Sequence, residues 1–197
     1  MRDRNAPGRP REFDDTEMLR KIMALFWRSG FDGVSLSHIM SETKLQKASL
    51  YAAFGDKRSM YLKALQQYYQ DVVAAAARAL RDGTVPPHAR IEAFLTAPQK
   101  AVEADDRTGC FLCNASADQA DLNTETQAQV KQGFETLADA LMSALTDLNP
   151  GLEKADCAAQ AQLLLALYSG FRIIARSGAD TQHMQGTVAH VMTSIRP

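Results

Sequence analysis

The sequence predicts an all-α protein of about nine helices, on three observations. From Leu19 to Ile195, apolar residues recur every third or fourth position over segments of helical length. No stretch alternates with the period of two that a half-buried strand needs, and there is no internal repeat or long low-complexity tract. Breakers punctuate the segments: Gly30, Asp82-Gly83, Thr84-Val85-Pro86-Pro87 and Asn149-Pro150-Gly151.

The first helix is expected from Asp15 to Ser29, with Leu19, Ile22, Met23 and Phe26 as its buried stripe and Gly30 as its stop. Ser35 is a good N-cap for a short second helix carrying Leu36, Ile39 and Met40. The pattern breaks at Ser41-Glu42-Thr43-Lys44 and resumes with Leu45, Leu50 and Phe54 as a short third helix. Asp56 is placed to cap a fourth, with Tyr61, Leu65, Tyr68 and Val72 on one side, running through the Ala-rich stretch to Leu80. His88 to Ala104 reads helical, with Pro98 expected to kink or split it. A short helix from Cys110 to Ala120 follows the loop Asp105–Gly109. The next begins near Asn123 and buries Val130, Phe134, Leu137, Leu141, Leu145 and Leu148. The eighth spans Lys154 to Ser177, and the ninth Thr181 to Ile195 with Met184 on its apolar side.

Two short helices across a tight turn, at residues 35–54, describe a helix-turn-helix. The outward positions of its second helix are Gln46, Lys47, Ala48, Ser49 and Tyr51. Small residues let a helix sink into a major groove. Gln reads adenine, Ser serves bases or phosphates, and Lys and a Tyr hydroxyl suit phosphates. By itself this pattern also fits an ordinary helical hairpin in an all-α domain. Lys57 stands in the first turn of the fourth helix, the wrong end for a cation. It is either a merely exposed side chain or half of a phosphate site with the free N–H groups there.

Arg11 to Tyr69 resembles the N-terminal domain of the tetracycline-repressor (TetR) family of bacterial regulators. The resemblance is carried by Ala24-Leu25-Phe26, Gly30-Phe31, Val34-Ser35-Leu36, Ile39, Lys47-Ala48-Ser49-Leu50-Tyr51, Phe54 and Gly55-Asp56-Lys57. Thr43-Lys44 stands where that family usually has Ala-Gly, and Ala52-Ala53 where bulkier residues are often found. The resemblance implies a flexible arm over 1–11, a DNA-binding domain over 12–70, and an effector-binding and dimerisation domain over 71–197. It implies backbone contacts from Ser35, Ser37, Lys44 and Lys57, and makes Arg9 and Arg11 the arginines of the arm that reach DNA; Arg2 and Arg4 read as a solvated tail. The expected activity is that of a sequence-specific regulator, a repressor released from a pseudo-palindromic operator by an effector. The other class kept in view is a helical small-molecule carrier or enzyme with a vestigial DNA-binding domain. Against it, the chain shows no nucleophile–base pair, metal spacing or phosphate loop.

Charge agrees with a phosphate-facing first half. The formal net charge is −1, but residues 1–70 hold 12 Lys/Arg against 8 Asp/Glu, and the remainder 10 against 15. At 197 residues and 46% hydrophobic, the chain can bury a small domain plus a larger one. No basic-then-apolar leader opens it and the longest apolar run, near Leu163–Tyr168, is too short to span a bilayer, so a cytoplasmic protein without a membrane partner is expected. Three cysteines without an export signal are expected as free thiols; four scattered His give no metal site, and no cofactor is implied.

Two-fold DNA reading requires a homodimer. In the eighth helix, Leu164, Leu167, Phe171 and Ile174 step by coiled-coil spacing, while Leu163, Leu165, Ala166 and Ile173 make other sides apolar too. That helix is either the central core of a monomer or shared with a partner. The family resemblance implies the latter, with Val188, Val191, Met192 and Ile195 of the ninth helix joining the interface. Phe94, Phe134, Met142, Tyr168 and Phe171 are candidates for an apolar effector pocket. Cys110, at a helix N-terminus with Cys113 one turn on, is either a reactive thiol with a resolving partner or a small buried hydrophobe. The run Gly109-Cys110-Phe111-Leu112-Cys113-Asn114 looks like a subgroup that includes regulators answering electrophiles or oxidants.

Overall fold

The computed structural model describes residues 14–118, 123–178 and 182–195, and among them it is helical with no strand. The arm arginines Arg9 and Arg11 lie outside the described residues. Helix α1 is Asp15–Ser29, capped by Asp14, whose carboxylate accepts from the Thr16 and Glu17 N–H groups. Gly30, at φ 72°, turns the chain away and its N–H closes on the Phe26 carbonyl. Helix α2 is Leu36–Thr43 and α3 is Lys47–Phe54. Helix α4 starts with Lys57–Tyr68 under the Asp56 cap, passes through a π turn at Tyr69–Val73 and continues as Ala74–Leu80.

Helix α5 is Pro87–Glu103, with Pro87 at its tolerated N-terminal position. Pro98 does not split it: the ring is buried inside one continuous helix. Helices α6 (Phe111–Asp118), α7 (Thr124–Leu148), α8 (Lys154–Arg176) and α9 (Gln182–Ser194) complete nine helices among the described residues. The ends of α6 and α9 expected at Ala120 and Thr181 lie outside them.

The first four helices form the N-terminal domain, with α1 and α2 packed on α4 and α1 respectively and α3 resting on α4. The later half of α4 packs on α7, α8 on α5 and α7, and α9 on α5. One aromatic chain joins the two domains. Phe26 meets Tyr61 edge-on at 5.2 Å, Tyr61 meets Phe111 at 5.7 Å, Phe111 meets Tyr68 at 5.7 Å, and Tyr68 meets Trp27 at 4.9 Å. Such edge-to-face pairs contribute about 0.5–1.5 kcal/mol each beyond their burial. The π turn is held from both sides, by the Arg20–Asp71 ion pair at 2.8 Å from α1 and by a Tyr69–Thr136 hydroxyl contact at 3.1 Å to α7.

Candidate nucleic-acid interface

The second helix of the pair, α3, buries Leu50 and Phe54 and leaves Gln46, Lys47, Ala48, Ser49 and Tyr51 exposed. The apolar anchors sit four apart, so the intervening positions are forced outward as one polar, small-residue face. Ser35 accepts from the His38 N–H as the cap of α2, and its hydroxyl lies 2.7 Å from that of Ser37. Both hydroxyls are exposed at the start of α2, where free N–H groups also point. Lys44 holds the turn at φ 59°, the left-handed region, and is exposed. The turn survives without glycine because Thr43 locks it: its hydroxyl donates to the Ile39 carbonyl at 2.7 Å and accepts from the Leu45 N–H at 3.3 Å.

Lys57 is half-buried, with its ammonium 4.3 Å from the Phe31 ring centroid. Arg58, which the sequence reading did not single out, places its guanidinium 4.0 Å from the same centroid. Lys63 was also missed; its ammonium donates to the Ala53 carbonyl at 3.1 Å and holds the C-terminal end of α3. A cation of α4 facing an aromatic or a helix end is a three-dimensional relation that periodicity does not carry.

The second domain grips the first at the end of α1. Arg176 donates to the carbonyls of Arg28 at 3.0 Å and Thr108 at 2.7 Å. The Asn114 amide donates to the carbonyls of Trp27 and Thr108, both at 3.1 Å, and the Asp118 carboxylate accepts from the Phe31 N–H at 2.7 Å. Asn114 therefore serves the domain junction and does not line the apolar cavity.

The expected effector pocket divides. Phe94 and Tyr168 stack at 4.2 Å and line one cavity with Val72, Ala76, Arg90 and Arg172. Phe134 lines a separate surface depression with Val130 and Lys131. Met142 packs beside Cys157, whose thiol donates to the Met142 carbonyl, and Phe171 is buried in the core. None of these three borders the Phe94–Tyr168 cavity: Phe134 and Met142 belong to α7, which lends it no residue, and Phe171 of α8 is buried in the core.

Cys110 is 2% exposed and sits just before α6, with its sulfur 3.5 Å from the Tyr68 hydroxyl. Its pKa is held below the ordinary thiol value, first by a hydrogen bond from the Cys113 thiol, then by the Tyr68 hydroxyl and the N–H groups of Cys113 and Leu112. Cys113 shifts upward, first because its own thiol proton is donated to the Cys110 sulfur and then because it is partly desolvated. All three cysteines are free thiols.

The residues expected at the dimer seam differ in exposure within the protomer. Leu164, Phe171, Val188, Met192 and Ile195 are buried within the protomer, so they are already used by its own core. Leu167 and Val191 are partly buried, and Ile174 is 42% exposed. A different stripe of α8 faces outward: Leu163 at 61%, Ala166, Gly170, Ile173 at 59%, and Ile174. Helix α8 is long and apolar enough to cross a membrane by length and composition, with mean hydropathy 1.3, because it combines a core side with this outward side.

Comparison with known proteins adds to this geometry. The family profile described as bacterial regulatory proteins, tetR family, matches residues 18–64. That described as transcriptional regulator LmrA/YxaF-like, C-terminal domain, matches residues 87–190, more than half the chain. The HTH-type transcriptional repressor BdcR of Escherichia coli is 24% identical over 190 residues, covering 96% of this chain and 93% of its own. Among solved structures, the reduced form of E. coli NemR superposes with a TM-score of 0.75 at 23% identity, covering 91% of this chain and 95% of that one. A cysteine mutant of the regulator CifR, complexed with 26-base-pair operator DNA, gives 0.77 at 19% identity over 94% of this chain and 99% of its own.

Proposed function

We propose, from the premise that this chain belongs to the tetR family of bacterial regulatory proteins, that it is a homodimeric repressor of transcription released from its operator by modification of Cys110. The observation that carries the DNA reading is the outward row Gln46, Lys47, Ala48, Ser49 and Tyr51 above buried Leu50 and Phe54. Gln46 and Ser49 face base edges; Lys47, Tyr51, Ser35, Ser37, Lys44 and Lys57 meet phosphates on either side. Relatives named as repressors, BdcR and NemR among them, support the sign of regulation.

The outward stripe of α8 is the dimer face. Gly170 supports this: a Cβ added there would meet nothing within 4 Å, so the protomer itself gives no reason for a helix-weakening glycine. A partner helix approaching closely supplies one. Leu163, Ile173 and Ile174 would be covered in the same step.

The thiol reading rests on Tyr68, which belongs to the helix that begins at the DNA domain and also donates to Cys110. Hydrogen peroxide would be attacked by the Cys110 thiolate, forming a sulfenic acid as the O–O bond breaks and hydroxide leaves, to become water with a proton from solvent. The Cys113 thiol would then displace hydroxide from that sulfur, giving a disulfide and a second water. Either product replaces the anionic sulfur to which Tyr68 donates with a neutral, larger group. The test is a gel shift on DNA from the gene's own upstream region, with and without peroxide. Binding that high salt abolishes and peroxide reverses only with Cys110 intact is expected; DNA binding indifferent to Cys110→Ser removes the switch and leaves the repressor.

A further inference from the structure

We propose that the cavity between α4, α5 and α8 binds a small, mostly apolar monocarboxylate, its carboxylate on Arg172 and its ring against the Phe94–Tyr168 pair. The cavity encloses about 360 Å³, within the range of small-ligand sites. Its walls are chiefly small apolar side chains, Val72, Ala76, Ala93 and Ala97 among them. Phe94 and Tyr168 are stacked at 4.2 Å with planes 23° apart, which presents a flat aromatic surface.

The chemistry of the ligand follows from the charges in that wall. Arg172 is half-buried; its Nε donates to the Tyr168 hydroxyl at 3.0 Å, and no carboxylate among the described residues pairs with it. A guanidinium cannot discharge itself by losing a proton, and the acidic groups that Arg172 feels are the Tyr168 and Tyr68 hydroxyls and the Cys110 thiol, none of them a carboxylate. The carboxylate of a ligand matches its two remaining N–H edges in a planar fork. Arg90 adds a second basic group. It donates to the Leu80 carbonyl and to Asp147, each at 2.8 Å, but its buried Nε–H has no acceptor. The one carboxylate lining the cavity, Asp82, is engaged by the N–H and hydroxyl of Thr84 at 3.0 and 2.6 Å. A cationic ligand would meet two arginines, and a neutral apolar one would leave Arg172 with the Tyr168 hydroxyl and no carboxylate.

The position makes such a ligand consequential. Val72 belongs to the π turn of α4, a helix distortion often found where function needs it, and Leu80 ends that helix on Arg90. A molecule seated there touches the helix that carries the DNA domain, just beyond its two tethers at Arg20–Asp71 and Tyr69–Thr136. This regulatory consequence rests on the repressor reading; the binding itself does not.

The test is isothermal titration of the full-length protein with 4-phenylbutanoate and its primary amide, with a gel shift run on the same preparations. The acid is expected to bind at least about tenfold tighter than the amide, the share of a charge-assisted pair. Arg172→Met should abolish that preference, and Ala93→Phe, which fills the cavity from an exposed helix position, should weaken both ligands. Equal binding of acid and amide, no binding of the acid, a preference that survives Arg172→Met, or indifference to Ala93→Phe would each overturn the proposal. A protein that binds DNA but fails this discrimination loses the carboxylate site and keeps the repressor reading; one that discriminates but binds no DNA does the reverse.

Discussion

The Tyr68 hydroxyl donates to the Cys110 sulfur at 3.5 Å, joining the middle of α4 to the residue that opens α6. The same ring meets Trp27 of α1 and Phe111 of α6, so one side chain touches both domains and the thiol. A change at that sulfur is therefore felt by a helix that begins beside the recognition helix.

The reactivity of Cys110 should depend on pH. The thiolate is the nucleophile, and its fraction rises with pH through the folded-state pKa. Because Cys110 is held below the ordinary thiol value, first by the Cys113 thiol and then by Tyr68, its alkylation rate should level off at lower pH than that of a free cysteine. Tyr68→Phe removes one donor to the thiolate, so the profile should move to higher pH. Stopped alkylation followed by peptide mass spectrometry reads both; superimposable profiles would show that the hydroxyl has no hold on the thiol.

Lys47 is exposed at the first position of α3. Lys47→Ala should weaken operator binding and flatten the dependence of log affinity on log salt by about one unit of slope, the loss of one phosphate contact. Titration at several salt concentrations measures it, and an unchanged slope would move Lys47 off the phosphates.

Lys44 carries a Cβ at φ 59°, a conformation that costs a non-glycine residue about 1–2 kcal/mol. Glycine relieves this but loses more entropy on folding, about 0.5–1 kcal/mol. Lys44→Gly should thus stabilise the protein by a few tenths to about 1 kcal/mol in chemical denaturation. Operator affinity at low salt should nevertheless fall, since a cation is lost.

Gly170→Leu places a bulky side chain on the outward stripe without disturbing the protomer, where a Cβ meets nothing within 4 Å. Light scattering should show a monomer, with operator affinity down at least about a hundredfold, because half-sites no longer bind together. A dimer of unchanged affinity would place the interface elsewhere.

Asn114→Ala deletes two donors at the domain junction, to the Trp27 and Thr108 carbonyls. Thermal unfolding should show a loss of about 1–3 kcal/mol. Operator affinity should fall too, since α1 is then less firmly oriented. Wild-type affinity in the folded variant would show that the DNA domain does not depend on this clamp.

Much of this was legible before any coordinates. The Asp15 start and Gly30 stop of α1, the Ser35 cap of α2 and the Asp56 cap of α4 are local chemistry that sequence displays directly. The polar face of α3 followed from the spacing of Leu50 and Phe54. The outward stripe of α8 did not follow, because α8 is apolar on several sides and periodicity cannot say which side meets its own chain; Leu164 and Phe171 lie inward, Leu163 and Ile173 outward. The π turn at Tyr69–Val73 has no composition signal, and its tethers Arg20–Asp71 and Tyr69–Thr136 are distant in sequence. The cavity gathers Val72, Arg90, Phe94 and Arg172 from three helices, of which aromatic content pointed only to Phe94 and Tyr168.

Footprinting of the purified protein across genomic DNA tests the central claim most directly. Two copies of α3 held by one dimer should protect inverted half-sites centred about 34–36 Å apart, one turn of duplex, on one face of the DNA. Protection without sequence preference, or of single unpaired half-sites, would contradict it.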